Sequence, residues 1–265
     1  MILLYKTYMV EYEYLFNQHS QTILLLHGWG GNKDSFAKLK KVFKSNYNIL
    51  SLSLPPPNLY QHSDQNQGIT DICKDLNFNS STIPLDMYDY KNIVSNILQL
   101  LNLKSVTIIC HSFGFRVALM LATTKIKISK IIVTGGAGIR FRPHFFKKLH
   151  NQFNSIWLKT HPEYFNKIAS SEYIHLSKID RETFKNIINK NLIFYIKILS
   201  CPIFLFWGEK DTATPLKMFK IIKKLKPQTT YKIIKNGTHF CYLEHSNLFI
   251  DCCQNFIKEQ GDNLC

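Results

Sequence analysis

Ser105-Val106-Thr107-Ile108-Ile109-Cys110-His111-Ser112-Phe113-Gly114-Phe115-Arg116-Val117-Ala118 runs from a buried, β-branched strand straight into a helical stretch. The hinge between them is a serine flanked by compact residues. A serine in such a strand-to-helix turn sits on a tight, strained corner with its hydroxyl projecting above the sheet edge. Small residues two places either side keep strand and helix apart, a demand that Gly114 meets. Cys110 stands where the common Gly-x-Ser-x-Gly pattern has its first glycine; it is larger but still compact. A serine here could also simply cap the helix start, so the rest of the chain has to decide.

Outward from this corner, short apolar runs alternate with segments of helical period, the pattern of a parallel sheet joined by crossover helices. Strands are expected at 22–26, 49–54, 105–109, 130–133, 202–207 and 230–234. Helices are expected at 32–43, 88–101, 113–123, 215–225 and 246–258. The fold class is therefore α/β. Pro55-Pro56-Pro57 ends any ladder, because proline offers no N–H, and 58–85 is polar and aperiodic, a long surface excursion. From 138 to 200 the strand–helix rhythm gives way to aromatic, basic, helical sequence. Residues 1–137 and 201–265 are assigned to one core and 138–200 to a helical cap.

A serine hydroxyl is a poor nucleophile unless a base takes its proton and a third group holds the base. Ile203-Phe204-Leu205-Phe206-Trp207-Gly208-Glu209-Lys210-Asp211 puts Asp211 just past the end of a buried strand, where open α/β sheets do chemistry. Glu209 is the local rival for that role. Gly237-Thr238-His239-Phe240 puts His239 in the loop after the next strand. Ser112, Asp211 and His239 are thus expected to form a nucleophile, orienting acid and general base, in that chain order. Leu24-Leu25-Leu26-His27-Gly28-Trp29-Gly30-Gly31 supplies a Gly-rich turn after an early strand. The backbone N–H groups of Trp29 and Phe113 are the expected oxyanion-hole donors. The turn is neither Gly-x-Gly-x-x-Gly nor a Walker loop. His27 lacks partners at metal spacing and reads as a support for the turn. No cofactor and no metal are expected.

Through His27-Gly28-Trp29-Gly30, the corner at Ser112, Trp207-Gly208-Glu209-Lys210-Asp211 and Gly237-Thr238-His239, the sequence resembles the α/β-hydrolase superfamily over essentially its whole length. The resemblance implies a mainly parallel eight-stranded sheet with helices on both faces, with 138–200 as the lid and an ester or thioester as substrate, cleaved through an acyl-enzyme. Residues 25–30 look like the corresponding turn of small-lid carboxylesterases that cleave methyl esters of acyl-carrier-protein-bound acids in biotin synthesis. The same turn occurs in other small-lid esterases and in carbon–carbon bond hydrolases. Haloalkane dehalogenases use a carboxylate where Ser112 stands. Some proteins of this fold bind small molecules without catalysis.

Composition narrows the setting. The net charge of +15 comes from lysines scattered through nearly every segment, whereas a nucleic-acid footprint clusters on one face; no nucleic-acid partner is expected. In 141–158 aromatics interleave with cations, as on a solvated amphipathic face over a pocket or a surface for an acyl carrier protein or anionic lipid. Seven cysteines without a Cys-x-x-Cys pair fit reduced thiols in a cytoplasm. The apolar start of the chain lacks a basic leader and a cleavage site, and no run approaches the roughly 18 apolar residues of a membrane span. Neither signal peptide nor anchor is expected.

Overall fold

The computed structural model describes residues 1–6, 8–55, 83–140 and 176–258. Its strands are β1 (Ile2–Tyr5), β2 (Tyr8–Leu15), β3 (Thr22–Leu26), β4 (Asn48–Leu52), β5 (Ser105–His111), β6 (Lys127–Thr134), β7 (Ile203–Gly208) and β8 (Thr230–Ile234). The helices are α1 (Ala37–Phe43), α2 (Met87–Leu100), α3 (Phe113–Leu121), α4 (Lys178–Asn189), α5 (Ile193–Ile198), α6 (Leu216–Leu225), α7 (Cys241–Glu244) and α8 (Ser246–Lys258). The strands form one eight-stranded sheet in the order β1-β2-β4-β3-β5-β6-β7-β8. β2 runs antiparallel to both of its neighbours, and every pair from β4 to β8 is parallel.

Because successive side chains of a strand point to opposite faces, the central strands feed two separate cores. Leu24, Leu26, Ile108, Cys110, Val133, Leu205 and Trp207 pack with α2, α3 and α6 on one face. Ile23, Leu25, Ile109, Ile132, Phe204 and Phe206 pack with α1 and α8 on the other. Each fully buried aliphatic side chain contributes about 1.5–3 kcal/mol, so strand register is fixed from both sides. The near-continuous apolar runs at 22–26 and 203–207 follow from this double burial.

The expected strands and helices are all present, with shifted ends. Helix α1 starts at Ala37 rather than 32 because Ser35 Oγ accepts from Asn32 N–H and Asn32 Oδ1 from Asp34 N–H. These side-chain turns compete with helical hydrogen bonding. β1 and β2 were not anticipated, although Tyr8, Val10 and Tyr12 alternate with more exposed Met9, Glu11 and Glu13. The 58–85 excursion falls outside the described residues except for 83–85, as do 141–175 of the expected cap. Its described end, 176–200, carries α4 and α5, whose Ile187 and Ile196 join the first core.

Candidate active site

All the singled-out residues stand at the C-terminal ends of parallel strands: the 27–31 turn after β3, Ser112 after β5, Asp211 after β7 and His239 after β8. Ser112 has φ 48° and ψ −109°, a left-handed conformation that a non-glycine residue seldom adopts. Its N–H donates to Thr134 O at 3.0 Å, and its carbonyl accepts from Phe115 and Ala137 N–H, each at 3.1 Å. These bonds over-determine the strained corner. Gly114 is required because a Cβ there would lie 2.2 Å from Leu26 O, so α3 can pass directly against the end of β3. Cys110 fits beneath the corner: it is fully buried in the first core, and its Sγ–H donates to Ile132 O at 3.5 Å. Burial pushes its thiol well above the ordinary range.

Asp211 is buried, and its carboxylate accepts three hydrogen bonds. Thr214 N–H donates to Oδ1 at 2.8 Å, while Thr214 Oγ1 and His239 Nδ1 donate to Oδ2 at 2.7 and 2.9 Å. Burial raises the pKa of this carboxyl, but the hydrogen bonds from His239 and Thr214 outweigh it and hold Asp211 below its usual value. Glu209 instead is exposed and accepts from Asn236 N–H at 3.0 Å. The structure thus pairs His239 with Asp211 and takes the rival carboxylate elsewhere.

Nδ1 of His239 faces Asp211 and Thr214 Oγ1, the latter at 3.3 Å, which leaves Nε2 for the crevice. Gly135 backs this pair at φ 53°; a Cβ there would press to 2.9 Å from His239 Nδ1 and 3.1 Å from Asp211 Oδ2. His111, directly before Ser112, donates Nε2–H to His239 O at 3.1 Å, and the two rings lie 4.6 Å apart. Burial first, then the neighbouring His239, lowers the His111 pKa to about 3, so it is a neutral donor. Among the described residues Ser112 Oγ makes no hydrogen bond; the link between the serine corner and His239 is the contact made by His111, the residue before Ser112.

His27 shapes the turn opposite Ser112. Leu54 N–H donates to its Nε2 at 2.8 Å, so the ring proton is on Nδ1, which donates to Gly28 O at 2.6 Å. Gly31 N–H binds the same carbonyl at 3.0 Å. In a trans peptide the C=O and the next N–H point in opposite directions. Fixing Gly28 O therefore aims Trp29 N–H away from His27. Burial lowers the His27 pKa to about 4, in keeping with a neutral ring. Phe113 is the first residue of α3, so its N–H has no intrahelical acceptor. The Trp29 ring meets Phe113 edge-on at 5.5 Å and Phe184 of α4 at 5.3 Å, and Phe113 meets Tyr90 at 4.9 Å.

Thr214, His111 and Gly135 are the site residues that sequence reasoning passed over. Thr214 had a signal, an Asp-x-x-Thr spacing that closes a side-chain turn. Gly135 heads a Gly-Gly pair after a strand, but nothing local to His111 marked its contact 128 positions away. Among the described residues no group of three His, Cys, Asp or Glu side chains could hold a metal ion. Nor, among those residues, is any helix long and apolar enough to cross a membrane.

Comparison with known proteins agrees with this architecture. The chain is 22% identical, over 94% of both chains, to the uncharacterized hydrolase YugF of Bacillus subtilis. Over 24% of the chain and 26% of the relative it is 33% identical to the pimeloyl-[acyl-carrier protein] methyl ester esterase of Legionella pneumophila. Among solved structures it superposes on MGS-M2, an alpha/beta hydrolase enzyme from a Medee basin deep-sea metagenome library, with a TM-score of 0.71. That match is 16% identical and covers 100% and 99% of the two chains. A carboxylesterase structure from the Thaumarchaeon Nitrososphaera gargenis matches with a TM-score of 0.66 and 19% identity over 97% of each chain. The family model of the alpha/beta hydrolase fold matches residues 21–183, and with the sheet order and strand-end site described above, the chain belongs to that family.

Proposed function

We propose that this protein is a serine hydrolase that cleaves a carboxylic ester or thioester through an acyl-enzyme. The observation that carries the reading is the Asp211–His239 pair, 2.9 Å apart with Asp211 buried, at the same strand ends as a serine held at φ 48°. Ser112 Oγ attacks the substrate carbonyl carbon while His239 Nε2 takes its proton. Asp211 stabilises the resulting imidazolium and fixes the ring with Nδ1 inward. Trp29 and Phe113 N–H groups bind the developing oxyanion, each worth about 2.7–4 kcal/mol of barrier by analogy with other hydrolases. His239 then protonates the leaving alcohol or thiol, and water repeats the sequence on the acyl-enzyme.

The test is direct. A fluorophosphonate probe should label Ser112, and Ser112→Ala should remove both labelling and p-nitrophenyl ester hydrolysis while leaving the circular dichroism spectrum unchanged. Undiminished turnover in that variant would sink the assignment.

A second reading narrows the substrate to a methyl ester carried on an acyl carrier protein. It is favoured by the local matches to such esterases, including 38% identity over 77 residues to the enzyme of Wigglesworthia glossinidia brevipalpis. The net charge of +15 also suits an acidic carrier. Turnover of a carrier-bound methyl ester that falls steeply with salt, beside salt-indifferent turnover of p-nitrophenyl acetate, is the expected signature.

A further inference from the structure

Arg116, one turn along α3 from Ser112, is buried, yet no carboxylate meets its guanidinium among the described residues. Its Nη1 donates instead to Ile187 O and Lys190 O, both at 2.9 Å. These are carbonyls of the last turn and C-cap of α4, where a helix leaves acceptors unsatisfied and carries partial negative charge. Arg140 Nη1 reaches a third, Asn189 O, at 3.4 Å. A buried cation satisfied only by carbonyls is expensive to keep, and burial lowers its pKa to about 10. What it secures is the placement of α4. On that helix Thr183 Oγ1 accepts from Leu85 N–H at 2.9 Å, Asn186 Nδ2 donates to Leu85 O at 3.3 Å, and Phe184 lies on the Trp29 ring. Helix α4 is therefore pinned at three places around the crevice: the nucleophile helix, the segment entering α2 and the turn after β3.

We infer that Phe184 is the acyl-chain specificity residue of this enzyme, forming with Trp29 and Phe113 an aromatic wall beside Ser112. Arg116 is the positioning residue that holds Phe184 there by gripping the end of α4. The inference rests on the assignment of Ser112 as nucleophile. A wall of this kind discriminates by how much acyl chain fits against it, and filling or emptying such a pocket commonly shifts kcat/KM by tenfold or more.

The experiment compares kcat and KM for p-nitrophenyl acetate and octanoate in wild type, Phe184→Ala, Arg116→Met, Arg116→Lys and the Arg116→Met/Phe184→Ala double variant. Melting temperature and fluorophosphonate labelling are recorded for each. Phe184→Ala should raise the octanoate-to-acetate ratio of kcat/KM about tenfold. Arg116→Met should move it the same way by about threefold, and Arg116→Lys, which keeps a cation in reach of the carbonyls, should stay within about twofold of wild type. In the Phe184→Ala background Arg116→Met should add nothing to the ratio. An unchanged ratio in Phe184→Ala overturns the proposal, as does an Arg116→Met variant that melts earlier with wild-type selectivity. If Arg116→Met does not fold, an unchanged ratio in Phe184→Ala still overturns it. Wild-type protein that the fluorophosphonate fails to label would overturn the Ser112 assignment itself, whereas normal labelling with flat ratios removes only the wall.

Discussion

The two ends of the parallel strands make an instructive contrast. At the N-terminal end a surface cleft of about 390 Å³ is lined by Ser20, Thr22, Ser105, Thr107, Ser129 and neighbouring residues. At the C-terminal end stand Ser112, Asp211 and His239. Both ends hold serines. Ser105, however, lies in an ordinary strand and shares a hydrogen bond of 2.9 Å with Ser129 Oγ, so the two hydroxyls satisfy one another. Lys130, also in that cleft, spends its ammonium on Phe256 O and Ile257 O at the end of α8. Ser112 sits at a left-handed corner at the same strand ends as the Asp211–His239 pair, and at a helix N-terminus. The direction of the strands separates the two ends, because only the C-terminal ends open into helix N-termini with unsatisfied N–H groups.

The contrast can be broken most sharply by exchanging the serines' fates. Ser112→Ala should cost at least about 10⁴-fold in kcat, whereas Ser105→Ala should leave turnover within about twofold. Comparable losses from both would erase the distinction. Next in size, Asp211→Asn should lower kcat by about 10³–10⁴-fold, since the amide cannot hold the right tautomer of His239. Glu209→Gln is expected to be silent, and steady-state kinetics on the pair separates the two carboxylates. Thr214→Val removes the hydroxyl that donates to Asp211 Oδ2; a loss of about 1–3 kcal/mol in stability, read by urea unfolding, is expected.

Acid should destabilise the fold through residues at the C-terminal strand ends. His27 and His111 have folded pKa values of about 4 and 3, below the 6.5 of the unfolded chain. The unfolded state therefore binds protons first, and stability falls as pH drops from about 6.5 toward those values. Each site contributes at most about 1.4 kcal/mol per pH unit. Asp211, held below its ordinary value, acts in the same sense: its stabilisation is present above that value and is lost as pH falls through the folded one. The melting temperature should drop steeply between pH 6.5 and 4, and His111→Gln, less stable at pH 7, should show a shallower slope. An equal slope in the variant would remove His111 from this account. Smallest of all, Ser129→Ala should change stability by less than about 0.5 kcal/mol.

What the sequence disclosed and what it withheld divide along sequence distance. The strand-end positions of Ser112, Asp211 and His239 were legible because each follows a recognisable strand. The central strands β3, β4, β5 and β7 were legible because double burial leaves apolar runs that no loop would carry, whereas the four-residue α7 was too short to show a period. Hidden were contacts that span the chain: His111 on the carbonyl of His239, and Leu54 N–H setting the tautomer of His27. Cys110 was hard to judge locally, since its place in the first core depends on register with β6. Strand β2 was obscured by Glu11 and Glu13 on its more exposed side, where a partly solvated strand looks like any polar stretch, and β1 is only four residues long.

The long excursion leaves the sheet side at Gly138 and comes back at Leu192, and the two points are tied by a hydrogen bond of 2.8 Å from Leu192 N–H to Gly138 O. Departure and return form a closed gate in the core, so the cost of joining them grows only logarithmically with what lies between. The length of chain between these two points can therefore change at little entropic cost, provided that whatever stands there still offers helix-end carbonyls to the buried Arg116.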